Sequence, residues 1–75
     1  MVEIEIGGLS ATIAGYAWVD GDEPLLTTLQ QDAQVSPRGD YDPFPALTIA
    51  KAAIARYGGR IIQQDPPEHV AGRVY

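Results

Sequence analysis

The chain has 75 residues, 45% of them hydrophobic and 20% charged, with no cysteine and a formal net charge of −5. That balance fits one globular domain and excludes disulfides and thiolate metal sites. An acidic chain also lacks the clustered cations that phosphate binding needs, which argues against a nucleic-acid partner.

The charge is unevenly placed. Residues 1–37 hold six carboxylates (Glu3, Glu5, Asp20, Asp22, Glu23, Asp32) and no base, a formal −6. Residues 38–75 hold all five bases (Arg38, Lys51, Arg56, Arg60, Arg73) and four carboxylates (Asp40, Asp42, Asp65, Glu68), a formal +1. Such asymmetry bears on partners and self-association rather than on fold. A core built from a chain this short is marginal, and with no disulfide available a partner subunit is the remaining common staple.

Val2, Ile4 and Ile6 alternate with Glu3 and Glu5, the period of a half-buried strand. Gly7-Gly8 then predicts a two-residue hairpin turn. That turn sets Ile6 opposite Leu9, Ile4 opposite Ala11 and Val2 opposite Ile13, with Glu5–Ser10 and Glu3–Thr12 on the other face. The second strand is expected from Leu9 to about Val19. Gly15 leaves two arrangements open. In an unbroken strand Tyr16 and Trp18 share the polar face with Ser10 and Thr12. A bulge at Gly15 turns both aromatics toward the core.

Asp20-Gly21-Asp22-Glu23-Pro24 is a turn that also starts a helix, with carboxylates that suit the helix dipole. Leu25, Leu26, Leu29 and Ala33 predict that helix over 24–33. Residues 34–42 form a loop. Asp42 is the expected N-cap of the main helix, 43–57, with Pro43 and Pro45 in its first turn and Gly58 as the left-handed stop. Ala46, Leu47, Ile49, Ala50, Ala53, Ile54 and Tyr57 make its broad apolar face, with Lys51 and Arg56 on opposite borders. Tyr41 is placed to staple against Ala46. Arg60–Gln64 is the next strand, and Val70, Gly72 and Val74 suggest a last one. The fold class is therefore α+β in a single domain, 1–75. It comprises an N-terminal β-hairpin, a short helix, the main helix 43–57 and a C-terminal strand pair. These make one mostly antiparallel sheet with helices packed on one face.

No constellation carries catalytic chemistry. Asp20-Gly21-Asp22-Glu23 resembles the start of a calcium loop, but the twelfth position counted from Asp20 is Gln31, which cannot supply the bidentate carboxylate. It reads as a solvated turn. His69 is the single histidine, in a Pro-rich turn with Asp65 and Glu68 nearby, and one histidine makes no zinc site within one chain. Arg38-Gly39-Asp40 spells an adhesion tripeptide, but it reads as a turn. No nucleophile elbow or phosphate loop is present. No cofactor and no metal ligand is expected.

No apolar run reaches the roughly 18–20 residues of a membrane helix, and the acidic, alternating start is unlike a secretory signal. A cytoplasmic protein away from membranes is the expectation. The functional expectation is a small non-enzymatic protein-binding or regulatory domain, self-associating. Its contact surface is the acidic hairpin face: Glu3, Glu5, Ser10, Thr12, Tyr16 and Trp18. Two alternatives differ in class. One is a small enzyme or ligand-binding protein with a site assembled across a homodimer around His69. The other is an acidic nucleic-acid mimic that inhibits a DNA-binding protein, for which ten carboxylates against five bases are sparse.

Overall fold

A computed structural model describes residues 1–36 and 42–64. In chain order these form β1 (Val2–Ile6), β2 (Leu9–Ala14), β3 (Ala17–Gly21), α1 (Glu23–Gln31), α2 (Pro45–Tyr57) and β4 (Arg60–Gln64). The four strands make one antiparallel sheet in the order β3-β2-β1-β4. The predicted α+β class holds, with both helices packed on the sheet. The helix α1 lies against β2 and β3, and α2 against β1, β2 and β4. The Tyr41 staple, the Arg38-Gly39-Asp40 turn, the strand expected over 70–75 and the His69 site fall outside the described residues.

The first hairpin has the register that its alternation predicts, from Val2↔Ile13 through Glu3↔Thr12, Ile4↔Ala11 and Glu5↔Ser10 to Ile6↔Leu9. Gly7 (φ 60°) and Gly8 (φ 84°) both adopt the left-handed conformation that a type I′ turn requires.

The second strand does not run on to Val19. It stops at Ala14, and Gly15-Tyr16 makes a second hairpin loop that returns the chain as β3, with Ala14 opposite Ala17. Gly15 takes φ 61° while Tyr16 stays at negative φ, as in a type II′ turn. The expected bulge exists, but at Val19 rather than Gly15: Ile13 pairs Trp18 and Thr12 pairs Asp20, which leaves Val19 unmatched. The shift turns Trp18 inward and leaves Tyr16 at the exposed tip. A second bulge lies on β4, where Ile4 pairs Ile61 and Glu3 pairs Gln63, so Ile62 is the extra residue. Both outer strands of the described sheet thus carry a bulge, which bends and twists a strand and makes it a poorer template for a further chain.

Helix α1 spans Glu23–Gln31, not 24–33, and buries Leu25 and Leu29. Asp22 stands at its N-cap position without capping it. Its carboxylate instead accepts the Ser10 N–H at 2.8 Å, and its own N–H donates to the Ser10 carbonyl at 2.9 Å. The helix start is therefore tied to β2. Ala33, expected on the apolar stripe, is exposed. Its place in the core goes to Val35, fully buried just past the helix, while the Ser36 hydroxyl donates to the Leu29 carbonyl at 2.6 Å.

Helix α2 begins at Pro45, two residues later than predicted. Asp42 is not its cap: the carboxylate accepts the Phe44 N–H at 2.8 Å in a turn just ahead of the helix. Gly58 ends it at φ 79° as predicted, donating to the Ile54 carbonyl at 2.7 Å. Ile49, Ala50 and Ala53 are buried, whereas Thr48, Lys51, Ala52, Ala55 and Arg56 are exposed, so the predicted division into faces is observed. The core joins Val2, Ile4, Ala11, Ile13 and Trp18 of the sheet to Leu25, Leu29, Val35, Ile49, Ala50 and Ala53 above it.

Candidate functional site: the open sheet face

Directly opposed residues of paired strands share a face. The face away from the helices therefore carries two rows. One crosses all four strands as Asp20, Thr12, Glu3 and Gln63. The other places Ser10, Glu5 and Arg60 side by side, with Asp22 at the Ser10 end. Glu3, Glu5, Ser10 and Thr12 thus come together as expected, each half-buried between neighbouring strands.

The two aromatics separate. Tyr16 is 41% exposed at the β2–β3 tip. Trp18 is 4% exposed on the core side and belongs to no surface. Its indole N–H donates to the Val35 carbonyl at 2.8 Å, so the polar end of the ring is satisfied inside. Its backbone carbonyl accepts from the Gln30 amide at 3.1 Å.

Sequence reading missed Asp20, Arg60 and Gln63. Arg60 Nε donates to Glu5 Oε1 at 2.7 Å, so one of the two hairpin glutamates is already neutralised. No signal in the chain pairs residues 55 positions apart; only the strand order does so. Asp20 Oδ1 accepts the adjacent Gly21 N–H at 2.9 Å. The Glu3 carboxylate takes part in no hydrogen bond or ion pair among the described residues. Three carboxylates at paired positions (Glu3, Glu5, Asp20) against one guanidinium (Arg60) give a formal −2, and Asp22 at the Ser10 end makes it −3.

The opposite side of the molecule has its own charge cluster. The Asp32 carboxylate receives the Tyr57 hydroxyl, the Gln34 N–H at 2.9 Å and Arg56 Nε at 2.6 Å. These donors, the Tyr57 hydroxyl first, hold its pKa below the ordinary carboxylate value. The cluster clamps the end of α1 to the end of α2. The Asp42 carboxyl is lowered in the same way, by the Thr48 hydroxyl and then the Phe44 N–H. Lys51 and Arg56 are both exposed on α2, far from the open face.

Among the described residues no group of three or more His, Cys, Asp or Glu side chains could hold a metal ion. No described helix is long and apolar enough to cross a membrane. Comparison with protein-family models, curated proteins and solved structures finds no match. The fold and the surface therefore define the chain: an α+β domain whose sheet is covered by helices on one face and carries a polar, acidic pair of rows on the other.

Proposed function

We propose that this domain is a non-enzymatic binding module whose open sheet face contacts a cationic surface on another protein. One observation supports this above others. The sheet face that neither described helix covers concentrates Asp20, Glu3 and Glu5 in two cross-strand rows, with Arg60 as the one opposing charge among the described residues of those rows. Charge of this kind sets partner choice and on-rate more than affinity. Tyr16, exposed at the rim, adds an aromatic anchor of the sort that interfaces favour.

Two copies meeting through this face would oppose like charges. Self-association instead pairs the acidic face of one copy with the outer side of α2 of the next, where Lys51 is exposed and Arg56 is shared with Asp32. That contact is heterologous and concentration-dependent.

The test uses partners captured from the native host and the double variant Glu3→Lys/Asp20→Lys. Glu5 is left alone because it holds Arg60 in place. Association with wild type slows by about tenfold or more between low and high salt, and the double variant loses most of this dependence. Binding that is indifferent to both salt and charge reversal overturns the proposal. Light scattering at the two salt concentrations reads the self-association.

A further inference from the structure

We infer that Glu3 is the docking point for one arginine side chain of the cationic partner. The inference rests on the open face being the contact surface, and it narrows that surface to one depression and one chemical group.

Met1, Glu3, Thr12 and Gln63 line a depression of about 230 Å³ on the open face. The register explains why they meet. Glu3 is directly opposite Thr12 on β2 and directly opposite Gln63 on β4. Strand spacing of about 4.8 Å puts a hydroxyl on one side of the carboxylate and a carboxamide on the other. The set is rich in acceptors arranged in a line: two carboxylate oxygens, the Thr12 oxygen and the Gln63 carbonyl oxygen.

A planar guanidinium fits that line better than an ammonium does. It donates two parallel N–H bonds to a carboxylate and still has donors left for flanking acceptors. The next row of the same sheet displays this chemistry within the chain. Glu5, two residues further along β1, already holds Arg60 through Nε at 2.7 Å. Glu3 occupies the equivalent outward position and has no such guanidinium among the described residues. A partner arginine supplies what Arg60 supplies one row away.

The experiment titrates the isotope-labelled full chain with acetyl-Gly-Gly-Arg-Gly-Gly-amide and with its lysine counterpart, followed by NMR at low salt. The arginine peptide shifts the Glu3, Thr12 and Gln63 amides and the Gln63 side-chain amide, and binds about fivefold or more tighter than the lysine peptide. Glu3→Gln, a near-isosteric change, weakens the arginine peptide about tenfold or more. An unchanged Trp18 emission maximum shows that the variant keeps its core. Equal binding of the two peptides overturns the inference, as do shifts centred on Asp20 and Asp22 or an undiminished Glu3→Gln. If those results appear while the partner's binding stays sensitive to salt and to Asp20→Lys, the acidic-face proposal stands and the arginine site alone falls. If salt sensitivity is lost as well, both fall.

Discussion

Trp18→Phe tests the packing that separates the two faces of the sheet. Trp18 is the single buried residue of β3, whose other four positions are exposed. Through it the third strand reaches the core, and through its indole N–H it reaches Val35 at 2.8 Å. Phenylalanine keeps an aromatic ring and removes that donor. The Val35 carbonyl, on a residue with no exposed surface, then loses its partner, which costs about 1–3 kcal/mol. The smaller ring also gives up about 50 Å² of buried apolar surface, or about 1 kcal/mol at 25 cal/mol per Å². The total is about 2–4 kcal/mol, against about 4–11 kcal/mol of stability for a domain of this length. At about 4–8 °C per kcal/mol, the melting temperature falls by roughly 10–30 °C. Far-UV circular dichroism reads it, since the variant has no tryptophan to fluoresce. A fall of less than about 4 °C would mean that the Trp18–Val35 bond carries little of the packing, and the assignment of Trp18 to the core would fail.

Two further outcomes follow from the fold. The Asp32 carboxyl has its pKa lowered from 3.8 on folding. A depressed carboxylate stabilises above its unfolded pKa, and that contribution is lost as pH falls through the lower folded value. Asp32→Asn therefore lowers the melting temperature at neutral pH, and the gap to wild type closes in strong acid; a gap of constant size from pH 7 to pH 2 refutes the clamp. Gly59 tolerates no side chain, because a Cβ there would collide with the Glu5 carbonyl and, at 2.5 Å, with Ile6 Cγ1. Gly59→Ala pushes β4 off β1 and costs about 1–3 kcal/mol by urea unfolding, so a variant as stable as wild type would contradict the described approach of the two strands.

Local chemistry was legible in the chain wherever it acts over a few residues. The β1–β2 register follows from strict alternation around Gly7-Gly8, because a slip of one would have exposed Ile4 and buried Glu3. The end of α2 follows from Gly58. What misled was Gly15. One glycine between two apolar stretches serves equally as a bulge inside a strand or as the first residue of a II′ loop. The segment Ala17-Trp18-Val19 has strand propensity in either case. Tertiary packing decides: the loop returns the chain so that Trp18 lies over Ile13 and reaches Val35. Val35 itself gave no signal, since a lone valine after a helix has no periodicity to place it.

The same distinction separates the parts of the proposed contact surface. Four of its expected residues, Glu3, Glu5, Ser10 and Thr12, belong to one hairpin, and a two-residue turn is enough to assemble them. Their electrostatic environment depends on β3 and β4, which pair through contacts that no local pattern encodes. Glu3 and Glu5 are indistinguishable in the sequence: each is an outward glutamate between isoleucine or valine neighbours. The arrival of β4 makes them unlike. Its bulge at Ile62 sets Arg60 opposite Glu5 and Gln63 opposite Glu3. Without the bulge, continuing the Glu5↔Arg60 register would place Ile62 opposite Glu3. An isoleucine there would cover part of the carboxylate and offer it no acceptor neighbour. The bulge thus both blunts the outer strand and builds the polar row around Glu3. Deleting Ile62 would separate the two effects, since it removes the bulge while the register continued from Glu5↔Arg60 still brings Gln63 opposite Glu3 and the charge of the face is unchanged.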